Sequence, residues 1–233
     1  MNKIDRRHIY GIMLDTETAN TIVEEDGKLN MRYVLPYDLG FAVIDTFGRV
    51  YETFSFANYD IYCKEKDLMK TAYYANKLPQ YEKEIKEGKR LLRTTKTIRK
   101  ILLDKIQEYD CKFVCAHNTF FDLTACNNIM RWTTKSKYRY FFPKNIEFWD
   151  TLRMARSVIL PMPTYQRFCE KYNFLTKNGK PQLTAEILYR FIKQTTDFEE
   201  EHIGLQDVLI EVEILKYCKR QHKKMTKNLF NST

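Results

Sequence analysis

Residues 9–20, IYGIMLDTETAN, decide how this chain is read. An apolar run from Ile9 to Leu14 ends in Asp15-Thr16-Glu17-Thr18. A short apolar run bounded by polar residues is the pattern of a buried central strand. Side chains alternate along a strand, so Asp15 and Glu17 share a face. Two carboxylates at the end of a buried strand repel each other unless a cation lies between them, and such oxygen donors suit Mg²⁺ or Mn²⁺. Standing alone, an Asp-x-Glu of this kind is more often a solvated turn than a metal site. The rest of the chain has to decide between the two.

A length of 233 residues is ample for a single large domain with a good core, and neither a low-complexity linker nor a repeat divides it. One domain over 1–233 is therefore expected. Seven Gly and six Pro are too few for a disordered or collagen-like chain. No apolar run approaches the roughly 18 residues a membrane span needs. The first residues, MNKIDRRHIYG, lack the apolar core of an export signal. A cytoplasmic protein with no membrane partner is expected. Six cysteines, none in a Cys-x-x-Cys pair, then read as free and mostly buried thiols. The formal charge of +9 favours an anionic partner, most simply nucleic acid. A basic protein with acids gathered at one point suits an enzyme that holds a polyanion and places metal at the phosphate to be cut.

Outward from the first strand, residues 20–36 are polar and lack helical period, which predicts a loop or extension. Leu39–Ile44 and Val50–Phe56 are apolar runs joined by Asp45-Thr46-Phe47-Gly48, the signature of a hairpin. Residues 65–90 read as helical, with Tyr73, Tyr74, Leu78 and Tyr81 as an apolar face and Gly88 at its end. In residues 94–109, Ile98, Ile101, Leu102 and Ile106 recur at helical spacing behind a Thr94 or Thr95 cap. Lys86, Lys89, Arg90, Arg93, Lys96, Arg99 and Lys100 make that region basic; such a run can hold a phosphate backbone but is more commonly a solvated face. Lys112–Asn118 and Asn145–Thr151 are expected as the fourth and fifth strands, with a helix over 122–131 between them. Strands separated by helices pair in parallel. The fold class is thus α/β, a mixed five-stranded sheet with antiparallel strands first and parallel strand-helix units after, flanked by helices. Helices follow over 152–160, 164–172, 183–194 and about 204–222. The basic tail from Lys216 to Lys227 reads as a frayed, soluble helix end.

No Gly-rich phosphate loop, no Gly-x-Ser-x-Gly and no His-Glu-x-x-His occurs. Carboxylates and two well-placed histidines remain. The fourth strand runs into His117-Asn118-Thr119-Phe120-Phe121-Asp122, where Asp122 is either a helix-start acid or a neighbour of Asp15 and Glu17 at the carboxyl edge of the sheet. The last helix begins near His202-Ile203-Gly204-Leu205-Gln206-Asp207. Positions five apart in one helix lie roughly 140° apart. His202 and Asp207 reach one site only if His202 is on the preceding loop, and Gly204 fits that transition.

Asp-x-Glu, His-Asn-x-x-Phe-Asp and His-x-x-x-x-Asp, in this order, resemble the DnaQ-like 3′–5′ exonuclease superfamily with its ribonuclease H-like fold. The subclass with Tyr four residues before the last Asp is excluded because Ile203 stands there, so the histidine-bearing form is implied. Phe148-Trp149-Asp150-Thr151-Leu152 is similar to the family's fifth strand. The resemblance covers roughly residues 8–220. It implies catalysis by Asp15, Glu17, Asp122, His202 and Asp207, with the four carboxylates holding two divalent ions, Mg²⁺ or Mn²⁺. Two such ions about 3.5–4 Å apart serve in-line phosphoryl displacement, and His202 is the implied general base. The implied substrate is the 3′ end of single-stranded DNA, with nucleoside 5′-monophosphate as product and a polymerase or replication protein as the implied partner. Thr16, Thr18, Asn118 and Phe121 are the expected substrate contacts, with Phe120 the alternative stacking ring. Two rival readings stand beside this one: an exoribonuclease on RNA 3′ ends, and a catalytically silent nucleic-acid-binding or polymerase-associated module. Gly204, where Ala is common, is a small change that should not harm catalysis.

Overall fold

The alternation of β1, Tyr10–Ala19, organises the molecule. Tyr10, Ile12 and Leu14 enter one apolar core, whereas Met13 enters a second. Asp15 and Glu17 follow the parity of Met13 and so share its face. The computed structural model describes residues 4–20, 22, 24, 27, 29–72, 75–199 and 202–230.

The hairpin is formed by β2, Leu35–Asp45, and β3, Val50–Asn58. Asp45 Oδ1 closes its turn by accepting the N–H groups of Phe47 and Arg49 at 2.9 and 3.0 Å, and Gly48 supplies a φ of 79° that a side chain disfavours. β4, Leu91–Arg93, pairs in parallel with β3. β5, Phe113–Ala116, lies parallel to β1, and β6, Glu147–Asp150, parallel to β5. The sheet order is β4-β3-β2-β1-β5-β6, with only β2 reversed among them.

Three short helices follow the hairpin: α1, Tyr59–Tyr62, α2, Lys66–Met69, and α3, Leu78–Lys86. One core lies between the first sheet face and α4, Thr95–Tyr109, and α5, Thr119–Thr134. Ile98 and Leu102 of α4 and Cys126 and Ile129 of α5 reach it. The other core lies beneath α6, Thr151–Val158, α7, Pro163–Lys171, α8, Ala185–Lys193, and α9, Gly204–Arg220. All six cysteines are free thiols, five buried and Cys63 half-buried. No helix among the described residues is long and apolar enough to cross a membrane.

Four expectations change. The sheet has six strands, not five: β4 is three residues long and carries no readable alternation. The helix expected over 65–90 is broken into Lys66–Met69, a 3₁₀ turn at Ala75–Lys77 and Leu78–Lys86. Pro79 stands in the first turn of the last piece, lacking the N–H that a continuous helix needs; Tyr73 and Tyr74 lie outside the described residues. Arg90 is not on a solvated basic face. It is fully buried, ion-paired with Asp38, 2.9 Å from Glu84 and 3.9 Å above the Tyr81 ring. The basic tail is not frayed: Asp150 N–H donates to the Lys227 carbonyl at 2.8 Å, and Leu229 N–H to that of Phe148 at 2.7 Å.

Candidate active site

At the carboxyl ends of β1 and β5 the two neighbouring strands diverge into separate connections, and a cleft opens there. It has a volume of about 540 Å³. All nine residues singled out from the sequence line it: Asp15, Thr16, Glu17, Thr18, Asn118, Phe121, Asp122, His202 and Asp207. Phe120, the alternative ring, is 54% exposed and lies outside it.

Three elements bring the acids together. β1 turns Asp15 and Glu17 toward α9. Asp122 is in the first turn of α5 and is buried; it does not cap that helix, whose N-cap is Asn118. Thr16 points the other way from Asp15 and donates its hydroxyl to Asp122 Oδ1 at 2.8 Å, tying α5 to β1. Asp207, also buried, is in the first turn of α9. His202 lies two residues before that helix with φ 51°, a left-handed conformation that histidine tolerates better than most residues. Its ring is half-buried beside the acids: one donor atom each from Glu17, His202 and Asp207 lie within 4.8 Å of one another.

Crowding raises the cost of charge here. The Asp15 carboxyl is pushed well above the usual carboxylate range by burial, then by Asp122, Glu211, Glu17 and Asp207. Asp122 is pushed up to about 7 by burial, although the Thr16 hydroxyl pulls it down. Burial and then Lys77 lower the His202 pKa, which leaves its imidazole neutral near pH 7. A buried set of oxygen donors that resists ionisation, with a neutral imidazole beside it, fits divalent cations, whose charge removes that resistance.

Glu211 was missed by the sequence reading. It is buried, lines the cleft, and follows Asp207 by four residues on the same helical face. That spacing is visible in the sequence, but only the packing shows which face is turned inward. Glu211 Oε1 accepts the His117 N–H at 2.9 Å, and Asp150 Oδ1 accepts the Asn118 N–H at 3.2 Å. Two acids thus hold successive peptide groups of the tight turn into α5, where Asn118 has φ 66°. His117 itself is a fixed structural group. Its Nε2 donates to the Leu183 carbonyl at 2.8 Å, which can only accept, and its Nδ1 receives the Thr151 hydroxyl at 2.9 Å. Burial lowers its pKa and keeps it neutral.

Close backbone approach seats α9 against the sheet. A Cβ on Gly40 would lie 2.3 Å from the Gly204 carbonyl carbon, and one on Gly204 would lie 2.9 Å from the Gly40 nitrogen. Gly204 N–H donates to Asp38 Oδ2 at 3.0 Å, and Tyr81 hydroxyl donates to the same carboxylate at 2.8 Å. Gly204 therefore permits the close contact between α9 and β2.

A mixed sheet with one reversed strand, helices on both faces and an acidic cleft at the carboxyl edge of the central strand is a ribonuclease H-like fold. Solved structures agree at the level of fold. Escherichia coli exonuclease I in complex with a 5cy-dT13 oligonucleotide matches with a TM-score of 0.58 and 14% identity over 92% of this chain and 41% of that one. Exonuclease I without ligand matches with a TM-score of 0.53 and 14% identity, over 91% of this chain and 42% of that one. A structure of the yeast NOT1 MIF4G domain co-crystallised with CAF1 matches with a TM-score of 0.54 and 14% identity, over 91% of this chain and 79% of that one. The chain thus spans about two-fifths of the exonuclease I chains. No family model and no curated protein matches the sequence.

Proposed function

We propose that the protein is a metal-dependent 3′–5′ exonuclease that removes nucleoside 5′-monophosphates from the 3′ end of DNA. The observation that carries this reading is the shared cleft: acids from three separated motifs, and the histidine of the third, line one cavity. The fold likeness to exonuclease I, solved with a dT13 oligonucleotide, supports the choice of substrate.

Asp15, Glu17, Asp122 and Asp207 would hold two divalent cations. Bound there, such ions polarise the scissile phosphate and acidify the attacking water. The chain's own groups do the rest. His202, neutral and half-buried, takes the proton from the water as its oxygen attacks phosphorus. The bond from phosphorus to the 3′ oxygen of the penultimate nucleotide breaks, that oxygen takes a proton from solvent water, and His202 returns its own proton to solvent. The left-handed loop position lets His202 approach Glu17 and Asp207 without belonging to α9. Thr16 orients Asp122 through its hydroxyl. Thr18 and Asn118 offer hydrogen bonds to the terminal nucleotide, and Phe121 a face for its base.

The test is incubation with Mg²⁺ or Mn²⁺ and 5′-labelled single strands of DNA and RNA of one sequence, with Asp15→Ala and Asp207→Ala alongside. A ladder shortening from the 3′ end, absent in both variants and in EDTA, is expected on DNA. A ladder on RNA alone reassigns the substrate. Strand binding with no ladder on either nucleic acid indicates a silent binding module.

A further inference from the structure

The loop after β1 and the far end of α5 build a second groove that the chemistry above does not use. Its volume is about 370 Å³. Asn128 of α5 fixes one wall, donating its amide to the Met31 and Val34 carbonyls at 2.8 and 3.1 Å. Asn20, at the end of β1, donates to the Tyr33 carbonyl at 2.9 Å. The segment over 30–35 is thereby pinned across α5, so the groove is a built surface.

Its chemistry is one-sided. Arg32, Arg131 and Lys135 line it together with Tyr33 and Trp132, and no described carboxylate does. Tyr33 is 47% and Trp132 38% exposed, and Lys135 Nζ lies 4.7 Å from the Trp132 ring centre. The same character continues along the surface. Residues 131–140, RWTTKSKYRY, contain four cations, three aromatic rings and no acid. Tyr138 and Tyr140 are exposed, with Lys137 5.6 Å from the first ring and Arg131 6.0 Å from the second. Cations for phosphates, interleaved with flat faces for bases, are what a single strand needs and what it recognises without regard to sequence.

The groove lies further along α5 than the cleft and on the other side of the helix, since nine residues turn Arg131 about 180° from Asp122. α5 carries Asp122 in its first turn and Arg131 nine residues later. At 1.5 Å per residue these are about 14 Å apart along the helix. A stacked strand advances about 3.4 Å per nucleotide, so that distance spans about four nucleotides.

We propose that this groove binds single-stranded nucleic acid about four nucleotides and more upstream of the 3′ end held in the cleft. Its position relative to the 3′ end rests on the exonuclease reading; strand binding by the groove does not. Two measurements separate them. The first is fluorescence-anisotropy binding of labelled dT12 and dT3 in EDTA, which needs no cleavage. Arg131→Ser/Lys135→Ser is compared with Lys223→Ser/Lys224→Ser, which removes the same charge from the tail. The groove variant is expected to bind dT12 at least tenfold more weakly. Its slope of log affinity against log salt falls by about 1.4, at about 0.7 per lost phosphate contact, while the tail variant stays near wild type. Trp132→Leu, which keeps an apolar side chain at that position, is expected to weaken dT12 binding about tenfold with little change in slope. Equal weakening by the tail and groove variants overturns the proposal, as does undiminished dT12 binding by the groove variant. The second measurement is cleavage. The groove variant should raise KM for dT12 about tenfold with kcat unchanged and leave dT3 kinetics intact. Equal losses on dT12 and dT3 refute the upstream placement. A protein that binds dT12 through the groove but cuts neither strand refutes the exonuclease reading alone.

Discussion

Replacing Asp122 with Asn should make the metal-free protein more stable, and only at the higher pH. In the fold, burial raises this carboxyl from 3.8 to about 7. A raised acid pKa means that the folded state holds the proton more tightly than the unfolded chain. Below pH 4 both states are protonated and folding carries no penalty from this group. As pH rises from about 4 to about 7 the unfolded chain ionises first, and stability is lost through that window. At about 1.4 kcal/mol per pH unit, the loss is complete above pH 7 at about 4 kcal/mol. Asn keeps an oxygen for the Thr16 hydroxyl, which stands 2.8 Å from Asp122 Oδ1, but it carries no charge. At pH 8 in EDTA the Asp122→Asn protein should therefore be more stable than wild type by up to about 4 kcal/mol. For a chain of this size that is a rise in Tm of roughly 10 °C. At pH 4 the two should nearly coincide. Thermal and urea unfolding followed by circular dichroism from pH 4 to 8 measures both. Mn²⁺ should then stabilise wild type strongly and the variant weakly, because cation binding acts through the charge the variant lacks. A variant less stable than wild type at pH 8, or a difference independent of pH, would refute the picture of acids forced together.

His202→Asn should lower kcat by about 10²–10⁴-fold, the usual share of a general base, while Mn²⁺ affinity measured by calorimetry holds; Asn tolerates the φ of 51° at this position. Lost Mn²⁺ binding would make His202 a ligand alongside Glu17 and Asp207, its neighbours within 4.8 Å. Arg90→Met leaves Asp38 buried without its counter-charge and should cost about 3–5 kcal/mol in urea unfolding, much of it recovered in Arg90→Met/Asp38→Asn; a single variant within 1 kcal/mol of wild type would count against a charged pair there. Gly40→Ala puts a methyl 2.3 Å from the Gly204 carbonyl carbon, so α9 must move. A loss of about 1–3 kcal/mol in stability is expected, with turnover falling as Asp207 is displaced, and unchanged Tm and turnover would show the contact to be slack.

The chain by itself determined β1, the hairpin and the order of the chemical motifs. Local rules govern each of these: apolar runs with period two, a turn closed by Asp45 and Gly48, and acids at strand and helix ends. The parity that sets Asp15 and Glu17 beside Met13 is a property of any strand, so it was legible without coordinates. Tertiary structure decided what no local rule addresses. β4 is three residues long and exists because β3 offers it an edge. Arg90 looks like one cation in a basic run, yet Asp38 and Glu84, distant or on another turn, draw it inside. Glu211 has helical spacing to Asp207, but its burial depends on α9 lying across β1 and β2. Gly204 matters through Gly40, a residue 164 positions earlier that touches it only after the sheet and the last helix have met. Periodicity reports which side of an element is apolar; which two sides meet is settled by the packing of the whole chain.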